Sequence, residues 1–157
     1  MKKTLAVTIS LTLLAFANSA PISIKVSSYK KSVVVNKKGK KHIEWAKPTK
    51  VVPKDTIKYV DTIKNSSKDE LKGVIVKNKI DKNLLFVANS IKSKAKYSVE
   101  FSIDNGKNFA PKDKLYVTGK DGKKHKATAK DYNAIAFKIA KVPSNSDIKI
   151  SYQAKIK

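Results

Sequence analysis

The chain contains no cysteine, and its 35 basic residues are all lysine, so arginine is absent too. Without cysteine there is no disulfide framework, no thiol nucleophile and no lipid-modified cysteine, and packing alone must hold the fold. Without arginine there is no planar fork for bidentate recognition of a phosphate or a base edge. Histidine is nearly missing. His42 and His125 each follow two lysines, whose ammonium groups would repel a metal, and zinc wants about three or four ligands. Acidic residues number only 12, and those in the turns Asp104-Asn105-Gly106, Asp113 and Asp121-Gly122 stand singly among Lys107, Lys112, Lys114, Lys120 and Lys123. That is too sparse for the roughly six to eight oxygens that calcium takes. No Gly-x-Ser-x-Gly elbow or comparable nucleophile-base motif occurs. The chain is therefore read as non-enzymatic, with no catalytic residues, no metal, no cofactor and no small-molecule substrate. Asn65-Ser66-Ser67 spells a glycosylation triplet, a pattern common by chance.

What is present begins with an export leader. Lys2 and Lys3 open the chain, Leu5 to Phe16 is apolar apart from Thr and Ser, and Ala15-Phe16-Ala17 is a small-x-small cleavage site. A second such site ending at Ala20 would put Pro21 after the cut, the wrong backbone for a peptidase. Residues 1–17 are accordingly expected to be a signal peptide and the protein to be exported, to the periplasm, the cell surface or the medium. The C-terminal Ala154-Lys155-Ile156-Lys157 offers no apolar anchor, and no transmembrane segment is expected after leader removal. The 140 residues from Asn18 onward suit one domain with a real core. Residues 18–50 read as an N-terminal strand and hairpin packed on that domain, and 51–157 as its main body, with Pro48 and Pro53 bracketing the connection.

Removing Lys2 and Lys3 with the leader lowers the formal charge from +23 to +21. A positive field of that size concentrates anionic partners and resists self-association. Its lysines are densest in two turns, Lys37, Lys38, Lys40 and Lys41 and then Lys120, Lys123, Lys124 and Lys126, each with Lys-Lys-His after a glycine. These eight are the candidate polyanion-binding residues, with Tyr29, Trp45 or Tyr116 available for stacking. The competing explanation is that lysine fills any solvated hairpin tip. Clustering of the two turns at one end would favour binding, and an even spread over every face would favour solvation.

The mature part alternates apolar and polar residues over short stretches, with no sustained 3.6 period. Tyr97, Val99, Phe101 and Ile103 share one face of a strand that Asp104-Asn105-Gly106 turns, with a return through Asn108 and Phe109 expected. Ile148, Ile150, Tyr152, Ala154 and Ile156 share a face, as do Ile135, Phe137 and Ile139. Val74 to Val76 reads as a run buried on both sides. Ile22, Ile24 and Val26 form an early strand, followed by a hairpin in which Val33–Val35 and Ile43–Trp45 flank Asn36–Lys41. Strands at this spacing predict an all-β sandwich or barrel.

Val51-Val52-Pro53-Lys54-Asp55-Thr56-Ile57-Lys58-Tyr59 and Asn65-Ser66-Ser67 resemble the opening of the domain of unknown function eleven family, the conserved-repeat domain of bacterial surface proteins. That family typically runs Pro-Gly-Asp, an alternating strand with Tyr, then Asn-Thr-Gly. Phe101–Phe109 resembles its Ser-Val-Asp-Gly-Gly-Lys-Thr-Tyr hairpin, Ala129–Phe137 its stretch ending in Arg-Trp, and Ile148–Ile156 its closing strand. Lys54 stands where the family usually has Gly, Asn78-Lys79-Ile80-Asp81 replaces Asn-Pro-Ile-Pro, and Ala136-Phe137 replaces Arg-Trp. The resemblance implies an immunoglobulin-like antiparallel β-sandwich, here with an additional N-terminal strand and hairpin, and it supplies no reaction.

Asp61 breaks the pattern. It shares parity with Ile57, Tyr59 and Ile63, so alternation turns a carboxylate toward the core, at high cost if unpaired. A bulge, an exposed strand end or a lysine partner is expected to relieve it, and a buried polar site with a raised pKa is the alternative. The resulting expectation is a structural or protein-interaction module of the bacterial envelope or surface that docks on an envelope or surface protein. The alternative is a lysine-rich binder of an anionic polymer such as lipopolysaccharide, nucleic acid or acidic glycan.

Overall fold

The short alternating stretches all become antiparallel strands. The computed structural model describes residues 22–157, and the signal peptide expected over 1–17 lies outside the described residues. In chain order the strands are β1 (Ile22–Val35), β2 (Lys41–Ala46), β3 (Thr56–Asn65), β4 (Leu71–Lys79), β5 (Leu84–Phe86), β6 (Lys92–Ser93), β7 (Tyr97–Ser102), β8 (Tyr116–Thr118), β9 (Lys124–Lys126), β10 (Ala134–Val142) and β11 (Ser146–Ile156). One sheet runs β2-β1-β3-β11-β5, with β6 also on β11, and the second runs β4-β10-β7. The two face each other as an all-β sandwich, and β8 and β9 form a separate ribbon. Among the described residues no helix is long and apolar enough to cross a membrane.

Period-two alternation decides what fills the gap between the sheets. From β3 come Ile57, Tyr59 and Ile63, from β11 Ile150, Tyr152, Ala154 and Ile156, and from β10 Ile135, Phe137 and Ile139, all buried. Tyr59 and Tyr152 are register partners, and their rings stack at 5.2 Å. Phe101 stacks on Tyr132 at 4.2 Å and meets the edge of Phe86 at 5.2 Å. An aromatic seam therefore locks β5 and β7 together across the sandwich.

The N-terminal strand and hairpin are more continuous than expected. No Gly or Pro interrupts residues 22–35, so β1 is a single strand of 14 residues that changes partner at Lys30. Residues 22–30 pair with β3 inside the large sheet, Lys30 also pairs with β2, and residues 31–35 pair with β2 alone. The β1–β2 hairpin thus overhangs the sandwich. Val74 to Val76 is buried on one side only, because Ile75 is 50% exposed between Val74 and the buried Val76. Beyond Asp104 the chain makes no return strand: Phe101 pairs Ala110 in one isolated bridge. Asn105 and Gly106, with φ of 62° and 83°, belong instead to a wider loop tied by Asp104 to Asn108.

In an immunoglobulin constant domain with sheets ABED and CFG, the strand between B and D is the fifth of seven. Here the last strand, β11, takes that place, because the long connection after β7 returns beside it as β10 before the chain crosses to the large sheet. Pairing and layering are those of a sandwich, while the path through the layers is this chain's own.

Candidate functional site

The two lysine turns are the same structure built twice. In the first, Gly39 N–H donates to Asn36 O (2.9 Å) and Asn36 N–H to Lys40 O (3.0 Å); in the second, Gly122 N–H donates to Gly119 O (3.0 Å) and Gly119 N–H to Lys123 O (2.9 Å). Gly39 and Gly122 sit at φ of 75° and 73°, the left-handed residue that lets a tight turn rejoin a twisted hairpin. A carboxamide or carboxylate caps each turn. Asn36 Oδ1 accepts the N–H groups of Lys38 and Lys40 at 3.0 Å, and Asp121 Oδ1 accepts that of Lys123 at 3.1 Å. With the backbone satisfied locally, all eight lysines are free to project, and all eight are exposed.

Each histidine is held by a carboxylate of its own hairpin. His42 Nε2 lies 2.8 Å from Glu44 Oε1, and His125 Nε2 lies 3.0 Å from Asp121 Oδ1. Both pairs are exposed. His125, with help from the Lys123 N–H, holds the Asp121 carboxyl below its ordinary range. A side chain at Gly119 would strike Asp121 Oδ1 at 2.7 Å and the His125 ring at 2.8 Å, so glycine is required there for the pair to close. Among the described residues no three His or acidic groups converge as a metal site.

Backbone hydrogen bonds place both hairpins at one end of the sandwich. The second hangs from Ala127 N–H to Leu115 O (2.9 Å), with both residues buried. From there Asn133 O accepts from Ile80, Asn83 O accepts from Lys157, and Ile156 bonds both Lys54 and Asp55. Asp55 in turn meets Lys30 at 2.7 Å, at the base of the first hairpin. The first hairpin leaves from the β1–β2 edge of the large sheet and the second from beyond β7, the edge of the small one. Lysines also dot the outer sheet faces, as at Lys25, Lys64, Lys72 and Lys149. The hairpin turns differ in density: the eight lysines share the two hairpins with two acids, Asp121 and Glu44, each already engaged by a histidine.

Of the three aromatics expected to stack, Tyr29 and Trp45 fall together. Lys58 Nζ sits 4.4 Å from the Trp45 ring and 5.5 Å from that of Tyr29, a cation-π cluster at the root of the first hairpin. Tyr116 stands apart in the second, exposed and paired with Lys126. Sequence reading overlooked Lys58, although its parity with the outward residues of β3 was visible.

Asp61 is a correction. The ladder stays regular through Val26, Asp61 and Ile150, no lysine among the described residues pairs with it, and the carboxyl is 0% exposed. Its partner is Asn78 on the opposite sheet, whose Nδ2 donates to Asp61 Oδ2 at 2.6 Å. Burial pushes the Asp61 pKa to about 6 against the opposing pull of Asn78. Asn78 follows Val74 and Val76 at inward parity, a signal present in the sequence. Asn65 is also buried; its Nδ2 donates to the carbonyls of Asp69, Val142 and Pro143. That nitrogen is the one a glycan would need, so the triplet is not presented for modification.

No family model, curated protein or solved structure matches the chain.

Proposed function

We propose that the protein is a non-enzymatic β-sandwich module, exported to the bacterial envelope or surface, that holds an anionic polymer at the end bearing its two lysine hairpins. The observation that carries this reading is the duplication: one turn architecture, with one Lys-x-Gly-Lys-Lys-His sequence, occurs twice, on hairpins rooted at the same end of the sandwich at its two opposite edges. Point-charge lysines without arginine suit a partner recognised by charge density, such as lipopolysaccharide, an acidic glycan or a nucleic acid backbone. The resemblance to the conserved-repeat domain of surface proteins supports the compartment. Lys54, where that family has Gly, takes the left-handed φ of 75° that Gly would favour.

A second reading, docking on an envelope or surface protein, draws on the uncovered edge of β2 at the end of the large sheet. Retention of mature protein on heparin and on whole envelopes across a salt series separates the two. Heparin retention that falls steeply with salt and vanishes on lysine acetylation supports polymer binding. Weak heparin binding with salt-resistant envelope retention overturns it in favour of a protein partner.

A further inference from the structure

The overhanging hairpin carries more than charge. In its register Val33 lies opposite Ile43, Lys31 opposite Trp45, and Val35 opposite Lys41, so Val33, Val35, Ile43 and Trp45 share one face. It is the face of Tyr29 and Lys58, continuous with the solvent side of the large sheet. Val33 is 61% exposed, Val35 56% and Ile43 54%. They are the three most exposed large apolar side chains among the described residues, and they are adjacent. The His42–Glu44 pair lies on the opposite face, so the apolar face is bordered by Lys31, Lys37, Lys38, Lys40 and Lys41 with no carboxylate beside it.

Three kinds of occupant fit badly. A second copy would bring like-charged lysine tips together on chains of formal charge +23. A nucleic acid or acidic glycan would meet the lysines but find nothing to do with exposed valine and isoleucine, and Lys58 already lies over the two rings. A partner that is anionic at its surface and aliphatic just beneath satisfies both halves of the hairpin. Lysine stems can lie along the apolar layer while their ammonium groups reach the phosphates, and tryptophan favours that boundary. Cross-strand bonding between β1 and β2 also satisfies much of the hairpin backbone, as shallow immersion requires.

We propose that the outward face of the β1–β2 hairpin seats Val33, Val35, Ile43 and Trp45 in the interfacial layer of an anionic phospholipid bilayer. This rests on the reading of the hairpin end as anion-binding and names phospholipid as what its first hairpin contacts. The second hairpin, without an equivalent aliphatic face, contributes charge alone.

Trp45 is the only tryptophan and reports directly on the patch. Mature protein is titrated with vesicles of phosphatidylcholine alone and of phosphatidylcholine with phosphatidylglycerol, including lipids brominated on the acyl chains, alongside heparin retention as a separate readout. The expected result is a blue shift and bromine quenching of Trp45 on anionic vesicles only. In V33S/I43S, partitioning should fall at least about tenfold with heparin retention unchanged. Because both positions are exposed the variant should fold, as its urea midpoint will show, and I75S on the other sheet should bind as wild type. Heparin retention without any Trp45 response, or vesicle binding without bromine quenching, overturns this proposal and leaves the anion-binding reading standing. Failure on heparin and vesicles alike overturns both.

Discussion

Asn78 and Asp61 meet across the two sheets through one hydrogen bond of 2.6 Å, and the remaining oxygen of each, Asp61 Oδ1 and Asn78 Oδ1, has no partner among the described residues. Both unpartnered atoms are acceptors. A single proton on Asp61 Oδ1, donated to Asn78 Oδ1, would satisfy both and close an acid-amide ring. The arrangement therefore suits a neutral Asp61 in a space it shares with Tyr152, whose own pKa is raised by burial first and by Asp61 second.

Stability should accordingly depend on pH with a sign opposite to that of most carboxylates. The Asp61 pKa is about 6 in the fold against 3.8 as reference. Its contribution is complete below 3.8, declines as pH rises toward 6 and is flat above. The loss is about 3 kcal/mol at roughly 1.4 kcal/mol per unit. Asp104, held at about 2 by the Asn108 N–H, the Ser102 hydroxyl and the Asn108 amide, acts in the opposite sense and loses its contribution only as pH falls from 3.8 toward 2. Urea unfolding at pH 4.5 and pH 8 should show wild type losing stability relative to D61N, which can form a neutral amide pair at either pH. Parallel curves for the two proteins would contradict a neutral Asp61.

Lys54 occupies the third position of the turn Val52-Pro53-Lys54-Asp55, closed by Asp55 N–H to Val52 O at 3.1 Å, with φ of 75°. A proline second and a left-handed residue third define a type II turn, where glycine is the unstrained choice. Lys54→Gly should stabilise the protein by about 1 kcal/mol, seen as a higher urea midpoint at unchanged m-value.

Removing the Asn65 side chain should do the reverse. Its amide joins the β3–β4 turn to the β10–β11 turn, and its Oδ1 accepts from both the N–H and the hydroxyl of Ser67. Asn65→Ala leaves the buried Val142 carbonyl without this donor and frees both turns, a cost of about 2 to 3 kcal/mol. The test is equilibrium unfolding, with hydrogen exchange faster at Ser67 and Asn145, whose backbones bond each other at 3.0 Å.

Strand content was legible because alternation is local. The inward sets of β10 and β11 could be read from Ile135, Phe137 and Ile139 and from Ile148, Ile150, Tyr152, Ala154 and Ile156, and all are buried but Ile148, which is half-buried near the start of its strand. What local pattern could not give is pairing over distance. Nothing near Lys30 signals that β1 changes partners there, and nothing near Asp104 shows that Phe101 will bond Ala110 rather than form a hairpin ladder. Asp61 was visible as an anomaly, but its remedy lies 17 residues away on another sheet. The lysine turns were legible one at a time as sequence, while their common end follows only from the bonds that link Ala127, Asn133, Ile156 and Asp55.

If the hairpin end is the proposed binding site, the position of charge, rather than its amount, decides binding. Two variants of equal net charge test it. One carries Gln at Lys37, Lys38, Lys40, Lys41, Lys120, Lys123, Lys124 and Lys126; the other carries Gln at Lys25, Lys64, Lys68, Lys72, Lys92, Lys94, Lys96 and Lys149, all exposed on the sheet face or away from the hairpins. Salt elution from heparin should drop sharply, with a shallower dependence on log salt, for the hairpin variant and little for its counterpart. Equal losses in the two would mean that the lysines act only as a diffuse field and that the hairpin end is not a site.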